Sequence, residues 1–333
     1  MIAQRLHFSR LHYGSRQSQQ AKKHNLQETS LYPYHAMNHR VQQAISVING
    51  LTRLALHPSS IARCCRNVGQ HGSTATIDGM SRLLDQSVAI SSFAAWYSAH
   101  GKWIHQFQNR YAGEECFLIG NGPSINKVDL PALGRFHLIG LNKIFLLFDR
   151  QPLNLTFHVA INSLVIEQSW KQFLKLDCPS FLSYIPAREF VPDDGNIHYI
   201  LTEQRAEPRF SHVSEEPIWE GWTVTYAALQ IAFFMGFRRV FLIGVDHNFA
   251  TSGSPNEQQG LIGNDTNHFD PRYFSGQQWH LPDLDGSEMA YQMARFTYER
   301  NGGAIFDATI DGKCTVFPKM DIAKAFAECR PRF

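Results

Sequence analysis

Four apolar residues in a row, Cys116-Phe117-Leu118-Ile119, stop abruptly at Gly120-Asn121-Gly122-Pro123-Ser124. An uninterrupted apolar run closed by turn residues predicts a strand buried on both faces. The pattern recurs along the chain. Residues 136–142 and 155–162 are short apolar runs ending on Asn142 and Asn162, and residues 240–244 lead into Val245-Asp246-His247-Asn248. Extended pieces are expected at 180–185 and 197–201, with a last core strand at 304–307. Between them, residues 223–235 predict a helix stopped by Gly236. Residues 287–300 predict another, capped by Ser287 and closed by Gly302-Gly303. Buried strands alternating with helices argue for an α/β, Rossmann-like, mostly parallel sheet with helices on both faces.

The amino-terminal third reads differently. Residues 1–36 are rich in Arg, Gln, Ser and His and lack hydrophobic periodicity. Three readings stay open: a disordered tail, a transit peptide, or a non-native segment preceding a start at Met37. From Val41 to about Arg66 the spacing predicts a basic amphipathic helix, and residues 69–73 a linker. A further helix over 80–111 carries Phe93, Trp96, Tyr97, Trp103 and Phe107 at core spacing. The expected organisation is a tail over 1–36, a helical basic extension over 37–111 and a nucleotide-dependent transferase domain over 112–328.

At 333 residues and 44% hydrophobic, the chain can bury a large core. No apolar run reaches membrane-spanning length. The net charge of +2 hides an asymmetry, because residues 1–110 carry 12 Lys+Arg against 3 Asp+Glu. The remainder is acidic, which argues against nucleic acid as its partner. Six cysteines without metal-ligand spacing read as reduced thiols in a cytoplasmic protein. Peripheral membrane contact through the basic part stays open, as does a homo-oligomer.

In a parallel sheet the carboxyl ends of the strands share one edge, so Gly120, Asn121, Gly122, Pro123, Ser124, Asn142, Asn162 and Asp246 should converge there. The glycines let backbone approach a ligand, and free N–H groups on that loop suit a phosphate. Residues 250–279 form a long polar stretch of the kind used for lids and binding loops. His268 within it is the first candidate general base, with His247 competing. Asp246 and His247 find no third metal ligand at a telling spacing, so no metal is assigned.

The Gly-Asn-Gly-Pro-Ser loop, the Asn142 strand end, the 223–236 helix, the Leu-Ile-Gly-Val-Asp strand and the Asn-His-Phe loop come in this order. That set resembles the 6-hydroxymethylpterin diphosphokinase MptE-like family and the related bacterial sialyltransferases of glycosyltransferase family 42, over roughly residues 112–325. The resemblance implies that Gly120–Ser124, Asn142, Asn162 and Thr223 hold the nucleotide of a CMP-linked sugar. It implies His268 as general base toward a glycan or lipid-linked acceptor, and Tyr273 beside the leaving phosphate. The sialyltransferases place an arginine for the donor carboxylate where this chain has Glu220-Gly221-Trp222. The expected activity is a glycosyltransferase of cell-surface polysaccharide synthesis that needs no cofactor. The alternative is an MptE-like diphosphokinase with Mg²⁺-bound ATP held through Asp246 and Asp265, and a third reading is a catalytically silent nucleotide-binding scaffold.

Overall fold

The computed structural model describes residues 92–332, apart from residues 208 and 213–215. The expectations for residues 1–36, 41–66 and 69–73, and the first part of the 80–111 helix, lie outside the described residues. Seven parallel strands form the central sheet: β1 (Glu115–Ile119), β2 (His137–Leu141), β3 (Phe157–Ala160), β4 (Ser180–Ser183), β5 (Ile197–Ile200), β8 (Arg239–Ile243) and β11 (Ala304–Asp307). The spatial order is β11-β8-β1-β2-β3-β4-β5. The chain therefore walks outward from β1 to β5, crosses back, and lays β8 on the other side of β1. That reversal makes the β1/β8 boundary the switch point, where open α/β sheets leave a crevice at the strands' carboxyl ends. β1 is buried along its whole length, as its uninterrupted apolar run requires. Two small ribbons, β6 (Thr202–Glu203) with β7 (Ile218–Trp219) and β9 (Gln258–Gly260) with β10 (Gln278–His280), flank the sheet.

Helices α1 (Ser163–Phe173), α2 (Val224–Phe234), α3 (Leu284–Arg300) and α4 (Ile322–Glu328) surround the sheet. Apolar nearly all round, α2 is correspondingly buried nearly all round. Its Gln230 is completely buried, yet its amide is satisfied. Oε1 accepts from Ser211 and Trp219 N–H, and Nε2 donates to the Trp219 carbonyl at 2.7 Å. This stitches β7 to α2 and fixes the turn that presents Glu220. Gly236 ends the helix at φ 91°, the left-handed position a glycine takes most easily.

The structure corrects two element boundaries. α3 begins at Leu284, because Asp283 accepts the Gly286 N–H and caps it; Ser287 lies one turn inside and donates its hydroxyl to the Asp283 carbonyl. The amino-terminal helical run ends at Phe107, after a π turn at Tyr97–Gly101. Trp96 and Phe107 are core, whereas Trp103 is exposed. Trp96, Ile104 and Phe107 of this run pack into the same core as the sheet strands. Trp96 donates its indole N–H to the Tyr199 carbonyl.

The amino edge of the sheet is closed by an ion cluster. The nearly buried Glu115 takes two bonds of 2.9 Å from the Arg239 guanidinium, one of 3.1 Å from Arg330 Nε and one of 2.9 Å from the Arg330 N–H. Burial pushes the Glu115 carboxyl up, but the two arginines together hold it below the ordinary carboxylate value.

Candidate functional site

At the carboxyl edge lies a cleft of about 1000 Å³, lined from the ends of β1, β2, β3, β4 and β8 and from residues of the 250–279 loop. The residues opening α1, α2 and α3 (Ser163, Val224 and Leu284) line it too, so three helix N-termini lend it positive potential. Among the described residues no lysine or arginine lines this cleft, whereas Glu167, Glu189, Glu220 and Asp246 do.

The glycine loop works differently from the sequence expectation. Gly120 N–H donates to the Ile243 carbonyl, Gly122 N–H to Gly244 and Ser124 N–H to Asp246 Oδ1. These N–H groups are committed to the end of β8 and cannot cradle a phosphate. A Cβ on Gly122 would lie 1.9 Å from Asp246 Oδ2, and one on Gly120 would lie 2.3 Å from the Gly244 carbonyl oxygen. The glycines therefore admit the neighbouring loop. Ser124 also donates its hydroxyl to Asp246 Oδ2 at 2.7 Å. Burial pushes the Asp246 carboxyl above its ordinary value in spite of these bonds. Pro123 starts the short turn Pro123–Lys127; it and Ser124 lie behind the lining.

Among the asparagines that line the cleft, Asn121, Asn142 and Asn162 follow strand ends. Asn142 adopts φ 47°, a conformation asparagine tolerates, and its carbonyl accepts from the buried His158 Nε2. Asn162 caps α1 through the Val165 N–H and donates to His280 Nδ1 at 3.0 Å. Among the described residues the side-chain oxygens of Asn121 and Asn142 are buried without a hydrogen-bond partner, although the Asn142 amide also bonds the Tyr273 hydroxyl. An orphaned buried acceptor costs about 1–3 kcal/mol. Thr223 lines the cleft as the cap of α2, accepting from the Thr225 N–H.

His268 sits on the 250–279 loop, which is anchored rather than loose. Phe269 N–H donates to the Asn121 carbonyl, Asn126 donates to the Phe269 carbonyl, and Phe269, Tyr273, Phe274 and Trp279 are buried. The His268 ring stacks on Tyr273 with centroids 4.0 Å apart and planes 5° from parallel. Its Nδ1 is 2.8 Å from Asp265 Oδ2. Burial pushes the Asp265 carboxyl up, but His268, the Asn267 N–H and the Phe274 N–H hold it below the ordinary value. An ionised Asp265 only accepts, so His268 Nδ1 carries the proton and Nε2 presents its lone pair. That is the tautomer a general base needs.

His247 makes a second such pair. It holds φ 52° and its Nε2 lies 3.0 Å from Glu288 Oε1. Glu288 is 38% exposed in its side chain, against 1% for Asp265. Exposed pairs are screened and weakly orienting, so His268 is the better-held imidazole.

Tyr273 is displaced from its expected place. It is fully buried beneath His268, its hydroxyl accepts from the Lys143 N–H at 3.3 Å, and it does not line the cleft. Lys143, unremarked in the sequence, is the anchor below. Its ammonium donates to Gln168 Oε1, the Tyr273 carbonyl and Gln277 Oε1 at 2.8, 2.7 and 2.5 Å. Burial lowers its pKa to about 8, outweighing the nearby Asp265 charge. Glu288 and Lys143 were missed because each works across a fold contact, and Asp265 was offered for Mg²⁺ rather than as the partner of His268. The one local signal was Asp265 standing three residues before His268. Among the described residues no group of three His, Cys, Asp or Glu side chains is placed to hold a metal ion. Asp246 and Asp265, the carboxylates offered for Mg²⁺, are instead held by Ser124 and His268.

Fold and cleft together define a Rossmann-like α/β protein with an open cleft at the switch point of its sheet. No family model matches the chain and no curated protein matches it, so the MptE-like and sialyltransferase resemblance rests on the motifs. Among solved structures, the MAf glycosyltransferase from Magnetospirillum magneticum AMB-1 aligns at 15% identity with a TM-score of 0.42. The alignment covers 79% of this chain and 44% of that one. This chain thus spans less than half the length of that protein. No helix among the described residues is long and apolar enough to cross a membrane.

Proposed function

We propose that the protein is a glycosyltransferase using a nucleotide-sugar donor with a single phosphate, of the CMP-linked kind. The observation that carries this reading is the pair of orphaned acceptors, Asn121 Oδ1 and Asn142 Oδ1, at the ends of β1 and β2. Amide oxygens call for donors, which ribose hydroxyls and the exocyclic amine of cytosine supply. The absence of lysine and arginine from the described lining supports a donor with one phosphate over a diphosphate or triphosphate. The N-termini of α1 and α2, with Thr223, are the groups available to it.

In this reading His268 Nε2 takes the proton from an acceptor hydroxyl, and the acceptor oxygen attacks the anomeric carbon of the sugar. The bond from that carbon to the phosphate oxygen breaks, and the nucleotide leaves with the electron pair. Asp265 holds the imidazole in orientation and stabilises the imidazolium. The test is a thermal-shift panel of CMP, UDP, GDP and ATP, the last with and without Mg²⁺. CMP should raise the melting temperature most, because a ligand at a hundredfold excess over its Kd adds about 2.7 kcal/mol. A shift with Mg²⁺–ATP and none with CMP would overturn the reading in favour of the diphosphokinase.

A further inference from the structure

One wall of the cleft does nothing in the mechanism above. Ser183 at the end of β4, Thr202 on β6 and Glu220 after β7 all line it. Their hydroxyls form a chain: Ser183 Oγ lies 2.7 Å from Thr202 Oγ1, which donates to Glu220 Oε1 at 2.7 Å. Among the described residues Thr202 is the one hydrogen-bond partner of the Glu220 carboxylate, through Oε1. Burial pushes this carboxyl above its ordinary value, against the Thr202 bond, and no described cation lines the cleft to balance it. Next in the chain, Trp222 holds φ 58°, a strained conformation for so bulky a residue. Its indole is pressed onto the first turn of α3, where a Cβ on Gly286 would come within 2.6 Å of the ring. Glu189 stands on the exposed rim of the same wall.

We infer that Ser183, Thr202, Glu220 and Trp222 form a saccharide subsite for a neutral, hydroxyl-rich sugar ring, and that this wall rejects sugars carrying a carboxylate. The inference rests on the glycosyltransferase reading and names the sugar class for it. An ionised carboxylate oxygen accepts sugar hydroxyls through charge-assisted bonds, and an indole offers a flat apolar face to a sugar's C–H face. An acidic sugar would meet Glu220 in a partly buried site without a counter-charge. Asn121 and Asn142, whose side-chain oxygens lack a partner among the described residues, line the same cavity, which favours a polar ligand.

The test is saturation-transfer NMR on the full chain, with and without CMP. Its probes are glucose, galactose, mannose, fucose, N-acetylglucosamine and N-acetylneuraminic acid. At least one neutral sugar should bind and N-acetylneuraminic acid should not. Glu220→Gln keeps an acceptor for Thr202 and should weaken the neutral sugar about tenfold, the loss of one charge-assisted bond, while leaving the CMP thermal shift unchanged. Three results would overturn the subsite: no neutral sugar bound in either condition, N-acetylneuraminic acid bound as tightly as a neutral sugar, or an unaltered affinity in Glu220→Gln. If CMP shifts the melting temperature but no neutral sugar binds, the subsite fails and the nucleotide reading stands. If a neutral sugar binds through Glu220 but CMP gives no shift, the subsite stands and the nucleotide reading fails.

Discussion

At the amino edge of the sheet, Glu115 is nearly buried and met by two arginines; at the carboxyl edge, Glu220 is partly buried and met by a threonine hydroxyl. Burial pushes on both carboxyls in the same direction. Glu115 nonetheless ends below its ordinary value and Glu220 above it, so the cations decide the sign. At the amino edge Glu115 completes its charge and its hydrogen bonds within the protein. The carboxyl edge leaves two amide oxygens and one carboxylate unbalanced around an open cleft. Glu115 is thus held by countercharge, whereas the carboxyl edge keeps its unpaired acceptors beside an open cleft.

The largest effect that separates the two edges belongs to His268. His268→Ala should lower turnover of a CMP-linked donor by about 10²–10⁴-fold, the usual contribution of a positioned proton acceptor. The CMP thermal shift should stay. Asp265→Asn should lower turnover with the same shift intact, since it disturbs the tautomer and not the nucleotide contacts. CMP binding weakened in step with turnover would make His268 a packing residue and move the base to His247.

Next in size is Lys143, the buried cation beneath the cleft. The unfolded lysine keeps its proton to about 10.5 and the folded one only to about 8. The unfolded state therefore binds more protons in that window, and the lysine's contribution to stability rises with pH across it. Compared with Lys143→Met by urea denaturation, the wild type should gain up to about 3 kcal/mol between pH 7.5 and 10.5. A flat difference would mean that the three acceptors outweigh burial.

The smallest is at the amino edge. Arg239→Met leaves Glu115 with Arg330 alone and should cost about 2 kcal/mol, read as a lower melting temperature. CMP binding should not change. A lost CMP response in a folded Arg239→Met protein would show that the two edges are coupled.

The sheet was legible because its strands are continuous apolar runs punctuated by turn residues, and β1, β8 and β11 fall close to where those runs lie. Caps were harder: Asp283 and Ser287 are both good capping residues, and only the backbone geometry selects Asp283. Within the cleft, the asparagines and His268 could be marked because they close strands or stand in a polar loop. The jobs of Ser124 and Tyr273 could not. Ser124 serves Asp246, which lies 122 positions further on, and Tyr273 serves Lys143 and His268 from behind the lining. Glu220 was visible only as the residue standing where an arginine was expected; its tie to Thr202 arises from the pairing of β6 with β7.

The interlock of Gly122 with Asp246 bears on how this cleft can be rebuilt. The side chain missing at one position is the volume filled by the other, so the two positions form a single compound residue divided between distant stretches of chain. A library that varies residue 122 alone samples collisions. Paired variation, with a smaller residue at 246 wherever 122 gains a side chain, samples working alternatives. A loop graft from another protein must bring both halves of the clasp.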